Sequence, residues 1–254
     1  MQPHWAEYLI EAALLGTFMF VACTAVLALE HPGSPIHRAI NSRNVRRVII
    51  ATLMGLTAIS LIYSPWGQRS GAHMNPATTF TFFLLGKVRP LDAVAYIMAQ
   101  FAGGAVGVML ARGVLGPALA NERVRYASTT PGRLGIRAAF AAECGMSFTM
   151  MSMVLISTNN DVTKPYTGLA AGVLVTSFIT FLAPVSGMSM NPARTLASAA
   201  FSRQFRGLWV YLLAPPLAMS AAAALHVAIF GKSSVHCCKL QHPRDGVCIF
   251  KCRE

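Results

Sequence analysis

The stretch SGAHMNPATTF, residues 70–80, sets Asn75-Pro76-Ala77 in the middle of an apolar region, and SGMSMNPARTL, residues 186–196, repeats nearly the same phrase around Asn191-Pro192-Ala193. Seven of the eleven positions are identical. Asn is a leading helix N-cap residue, and Pro is favoured at the first helical position, where no amide hydrogen is needed. Each copy therefore predicts a short helix that begins at its Asn-Pro. The apolar lengths behind them, 77–85 and 193–201, cover only half a bilayer at about 1.5 Å per residue. Upstream, Ser70-Gly71 and Ser186-Gly187 supply irregular backbone.

The surrounding composition identifies the solvent. Hydrophobic residues make up 54% of the chain and charged residues 12%, against roughly 25% charged in a soluble domain. Six runs are long, apolar and nearly uncharged: 8–29, 48–66, 91–111, 138–157, 166–185 and 207–230. Each approaches the ~20 residues a helix needs to cross the hydrocarbon core. The runs are continuously apolar and do not alternate, which excludes barrel strands. An all-α, polytopic membrane protein is expected. Glu7 and Glu11 stand where the basic start of a cleavable signal belongs, so the first run is read as a span. The net charge of +12 resides in loops and tail, where anionic lipid headgroups account for it without nucleic acid.

Each motif copy follows the second of three spans, and Glu11 and Glu143 mark the first span of each half. Three spans per half place the two copies in opposite orientations across the membrane. Such an inverted repeat puts its site where the halves meet, near the midplane. The expected organisation is a first repeat over 1–115 with a half-helix at 75–86, a connecting loop over 116–133, a second repeat over 134–230 with a half-helix at 191–202, and a tail over 231–254.

Irregular backbone at membrane depth survives only when buried in protein or lining a watery path. Two half-helices meeting by their N-termini focus positive potential, which repels cations and protons. Asn75 and Asn191 can offer amide hydrogens to a neutral solute at that point. Glu11 and Glu143 are placed to accept hydrogen bonds from the exposed amides of the two re-entrant loops. Arg194 breaks the repeat where the first copy has Thr78. A charge at this depth is costly and reads as functional. His73 admits two readings, a vestibule-facing residue that responds to protonation and a loop-packing residue.

These residues together resemble the aquaporin or major intrinsic protein family over residues 5–230. The resemblance rests on both Asn-Pro-Ala boxes, Arg194, Glu11, Glu143 and the AQFAGGAVG stretch of the third span. Within the family, LAPVSGMSMNPARTL and LWVYLLAPP look most like the nodulin-26-like branch and its bacterial relatives. The first span departs from the usual Glu-x-x-Gly-Thr, since Gly16-Thr17 come two residues late; Cys23 supports Glu11 as the match. The resemblance implies six spans and two half-helices, a pore in each subunit, a homotetramer, and a plasma or inner membrane location with both termini cytoplasmic. The basic residues divide almost evenly between the two sides, so the positive-inside rule does not select this orientation.

The resemblance also implies a selectivity filter at Met54, Ile179, Met188 and Arg194, with Gly55 as the alternative in the second span. Strict water channels of this family carry Phe and His at the second- and fifth-span positions, and neither is present. An apolar wall opposite Arg194 suits water together with small neutral solutes such as glycerol, urea or undissociated metalloid hydroxides. A strictly water-selective pore and a closed, structural member of the family are the alternatives.

The tail is a different kind of sequence. His236, Cys237, Cys238, His242, Cys248 and Cys252 fall close together, a density that suits a thiophilic metal, although the spacing matches no standard zinc pattern. Disulfides, palmitoylation and an unstructured tail are the other readings; no cofactor is expected elsewhere. The spans offer no nucleophile–base pair or metal triad for an enzyme, and no acidic ring or carbonyl filter for an ion channel.

Overall fold

The computed structural model describes residues 4–241 and 248–250, and among them there is no strand. Six long apolar helices form the body: α1 Trp5–Glu30, α3 Arg43–Tyr63, α6 Pro90–Leu115, α7 Gly135–Thr158, α8 Thr167–Ser186 and α10 Leu208–Phe230. Four short α-helices lie between them: α2 Pro35–Ala39, α4 Pro65–Ser70, α5 Pro76–Leu84 and α9 Pro192–Ser202.

Local chemistry sets the boundaries. The second span ends at Tyr63, short of the expected residue 66, because the residue before a proline avoids the helical region. Ser64 is extended there, and its hydroxyl accepts the Gly67 amide at 3.0 Å to start α4. The first half-helix ends at Leu84, where residue 86 was expected. Gly86, at φ 74°, lets the Gly86 and Lys87 amides fold back on the Phe83 and Phe82 carbonyls at 2.8 and 3.0 Å. The second half-helix ends at Ser202.

The two halves pack alike. The first and third spans pair in each, α1 on α6 and α7 on α10, while α3 crosses α8 between halves. Lipid removes the hydrophobic drive between helices, so close approach of small residues must supply the contact. A Cβ at Gly103 would stand 2.1 Å from the Ala12 carbonyl, and one at Gly172 would stand 2.7 Å from that of Gly55. Large apolar side chains such as Leu9, Met98, Phe181 and Leu217 point outward, as hydrocarbon solvent permits. Each half-helix lies against the third span of the opposite half, α5 on α10 and α9 on α6, and the two meet by their N-termini.

Candidate functional site

Both motif copies enter their half-helices through left-handed backbone. Gly71, Ala72 and Met74 have φ of 97°, 53° and 47°, and Gly187, Met188 and Met190 have 81°, 53° and 55°. Such angles disfavour residues with a Cβ and persist only when the surroundings enforce them. The enforcing groups are the two buried glutamates. Glu11 accepts Ser70 Oγ (2.7 Å) and the His73 amide (3.0 Å) on Oε1, then the Met74 amide (2.6 Å) and Gln100 Nε2 (2.8 Å) on Oε2. Glu143 accepts Ser186 Oγ (2.7 Å) and the Ser189 amide (2.9 Å) on Oε1, and the Met190 amide (2.7 Å) on Oε2. The loop amides thus find acceptors without water. Tyr96 and Tyr211 add a strut each, donating to the Ser70 and Ser186 carbonyls. The matching segments YIMAQ and YLLAP were the available sequence signal for these two.

Asn75 and Asn191 cap their own helices and also tie the halves together. Asn75 Oδ1 accepts the Ala77 amide at 2.9 Å; Asn191 Oδ1 accepts those of Ala193 and Arg194 at 3.1 and 3.2 Å. Asn75 Nδ2 donates across to the Met190 carbonyl at 2.7 Å, and Asn191 Nδ2 to the Met74 carbonyl at 2.6 Å. Each primary amide has two hydrogens, so one locks the opposite loop and the second is left to face the cavity that both side chains line. Pro76, Ala77, Pro192 and Ala193 are buried behind them.

A cavity of about 1160 Å³ extends past both asparagines. Met54, Ile179, Met188 and Arg194 all line it. Gly55 does not: a Cβ there would meet Thr176 Oγ1 at 2.0 Å, so it serves the α3–α8 crossing, and Met54 is the second-span residue at the cavity. Ile179 packs against the clusters that hold Met54 and Met188. Arg194 Nη1 donates to the Ala127 carbonyl at 2.8 Å, which fixes the guanidinium at the wall. Ala127 closes three consecutive left-handed residues, Arg125 to Ala127, a turn nothing in the sequence announced. The loop that carries it docks on the second re-entrant segment through Thr129 Oγ1 to Thr195 Oγ1 (2.9 Å) and the Gly132 amide to the Val185 carbonyl (2.9 Å).

Six arginines line one end of this cavity, 43, 46, 47, 123, 125 and 133, accompanied by Glu30 and Glu122. Arg46 is buried, bonded to both Glu30 oxygens at 3.2 Å and to the Ile40 and Asn41 carbonyls at 2.8 and 3.1 Å. Arg47 Nε donates to the Thr180 carbonyl at 2.8 Å. Arg43, Arg46 and Arg47 belong to the first turns of α3, and Arg123, Arg125 and Arg133 to the connecting segment between α6 and α7.

His73 lies at the cavity wall with its ring held on every side. Nδ1 pairs with Thr79 Oγ1 at 3.0 Å and Nε2 with the Cys238 carbonyl at 2.9 Å; Phe82 and Phe250 stack on its faces with centroids at 5.3 and 5.5 Å. The packing reading accounts for these contacts. Of the tail cluster, His236, Cys237, Cys238 and Cys248 are described, whereas His242 and Cys252 lie outside the described residues. Among the described residues, no three His, Cys, Asp or Glu side chains converge on a common metal position.

A family profile described as major intrinsic protein matches residues 3–226. Aquaporin NIP1-2 of Oryza sativa is 34% identical over 212 residues, a match that spans 82% of this chain and 66% of that protein. Nodulin-26 of Glycine max is 33% identical over 175 residues, with 68% of this chain and 62% of that protein covered. The chain thus spans about two thirds of the length of these relatives. In three dimensions it resembles the aquaglyceroporin of Plasmodium falciparum, with a TM-score of 0.73 over 91% of this chain and 99% of that one, at 17% identity. At that identity the likeness bears on the fold, which is all-helical with six candidate spans.

Proposed function

Because the chain belongs to the major intrinsic protein family, a family of membrane channels and not of enzymes, we propose that it passes water and small neutral solutes such as glycerol, urea or undissociated metalloid hydroxides while excluding ions and protons. The chain is an integral, multi-pass membrane protein. One observation carries the reading: two half-helix N-termini meet at one cavity, each presenting an Asn amide, with Arg194 fixed at the wall between them and the arginine-lined mouth. A cation entering there meets positive helix ends and a guanidinium in a low dielectric, and loses hydration that nothing replaces. A neutral solute with hydroxyl or amide edges finds donors at Arg194 and the asparagines, and an apolar wall at Met54, Ile179 and Met188 for its carbon or metalloid body. The relatives' names support the class: two are an aquaporin and nodulin-26, and the structural neighbour is an aquaglyceroporin. A homotetramer with both termini cytoplasmic belongs to the same reading.

The test is stopped-flow light scattering on proteoliposomes. Osmotic water flux and glycerol or urea uptake above that of protein-free vesicles, with no current in planar bilayers at matched protein density, is the expected result. Proton or sodium conductance comparable to the water flux refutes ion exclusion, and water flux without uptake of any of these solutes refutes the solute range.

A further inference from the structure

The described residues of the segment after α10 stay packed against the helical body. Asn159 Oδ1, just beyond α7, accepts the His236 and Cys237 amides at 2.5 and 3.3 Å. The Cys238 carbonyl takes His73 Nε2, and the Leu240 amide donates to the Gly71 carbonyl at 3.1 Å. Lys239 is 2% exposed, and its ammonium donates to the Gln68 and Arg69 carbonyls at 3.1 and 2.9 Å. Those carbonyls close α4, so the buried charge meets the end of a helix where cations are favoured. Phe250 closes the contact, stacked on His73 and edge-on to Tyr96 with centroids 5.7 Å apart.

The two repeats explain why the segment is there. In the second repeat, the re-entrant backbone is covered by the connecting loop: a Cβ at Gly187 would meet Thr129 and Thr130 at 3.0 Å. That loop also supplies the Ala127 carbonyl to Arg194. In the first repeat the equivalent Gly71 is covered by the tail, where a Cβ would meet Lys239 Cγ at 3.1 Å and Phe250 Cε2 at 3.2 Å. The tail thus stands to the first re-entrant loop as the connecting loop stands to the second. The connecting loop lines the arginine mouth; from the tail, Leu240, 8% exposed, lines the same cavity near Ala72 and His73.

We propose that Leu240, clamped through Lys239 on the first re-entrant loop, sets the width of the cavity beside Ala72 and His73 and so limits the passage of solute. This rests on the channel reading above. An isobutyl side chain offers no hydrogen bond to a hydrated solute, so it acts by excluding volume and water.

The experiment compares the full chain with Leu240→Ala, Leu240→Phe and Lys239→Met in proteoliposomes. Stopped-flow glycerol and water permeabilities are normalised to folded protein recovered by size exclusion. Glycerol permeability should rise several-fold in Leu240→Ala, fall in Leu240→Phe, and follow the alanine variant in Lys239→Met, which keeps the stem packing and removes the clamp. A merely structural Leu240 changes the folded yield and leaves the normalised rates alone. Conducting variants with native normalised rates overturn the inference and leave the channel reading standing. A native chain that is silent until Leu240→Ala opens it supports the inference in its strongest form. Native and variant chains that all fail to conduct overturn both.

Discussion

Glu143→Gln probes the step from sequence to pore most directly, because the two side chains have the same shape and differ in what they can accept. The native carboxylate has a backbone amide on each oxygen, Ser189 N at 2.9 Å on Oε1 and Met190 N at 2.7 Å on Oε2. Glutamine carries an acceptor on one side and an NH2 on the other. Whichever way it turns, the NH2 opposes one of these amides, donor against donor. A buried amide without an acceptor costs about 1–3 kcal/mol, and the surviving bonds lose their charge assistance, so the total is roughly 2–4 kcal/mol. That is a large fraction of the stability of a folded domain, and it falls on residues held at unfavourable backbone angles, Met188 at φ 53° and Met190 at φ 55°. The Met190 carbonyl that receives Asn75 Nδ2 moves with them. The variant should therefore melt at lower temperature in detergent, followed by fluorescence-detected size exclusion, and conduct less water per folded protein. A Glu143→Gln protein with native melting behaviour and native flux would refute the reasoning, since the carboxylate would then be doing nothing an amide cannot do.

Asn191→Asp turns a donor that sits 2.6 Å from the Met74 carbonyl into an anion facing it, so the expected outcome is lower folded yield or measurable cation current in planar bilayers; a folded variant that still excludes cations counts against the half-helix dipole account. Ile179→His adds a polar side chain to the wall shared with Arg194, and glycerol and urea uptake should fall more than water flux; an unchanged solute preference refutes the filter assignment. Gly103→Val forces a Cβ to within 2.1 Å of the Ala12 carbonyl, and such overpacking costs about 1–3 kcal/mol or more; the folded fraction by size exclusion should drop, and native recovery would show that the α1–α6 crossing can widen freely.

Much of this protein is legible in its residue order because its solvent is lipid and its halves repeat. Six apolar runs of spanning length leave helices as the only way to satisfy the backbone, and the doubled Asn-Pro-Ala phrase fixes two N-termini by local capping chemistry alone. Arg194 stands out against Thr78 for the same reason, since a repeat exposes its own exceptions. Glu11 and Glu143 were identifiable as acceptors because loop amides at that depth need them. These are local or periodic properties, and a linear text carries them.

Relations between distant residues had to wait for the fold. Met54 and Gly55 are neighbours in the chain, yet a helical turn of about 100° per residue separates their faces, and only the packing of α3 on α8 shows that Gly55 fills the crossing and Met54 the cavity. The reciprocal bonds from Asn75 to Met190 and from Asn191 to Met74 join residues in different repeats. Arg46 and Arg123 read as loop charges because nothing local states that the start of α3 and the connecting segment come together at one cavity. The tail shows the limit most clearly. Its cysteines and histidines drew attention in the sequence, and the contacts that anchor it to the first re-entrant loop come from neighbouring groups, the Cys238 carbonyl, the Lys239 ammonium and the Leu240 amide. Backbone groups carry no residue signature, and a lysine reads as solvent-facing until a helix end is found beneath it. Composition and periodicity determined the solvent, the helices and the place where they break; the pairing of buried donors with acceptors far along the chain, which only close packing brings together, decided what stands at the cavity wall.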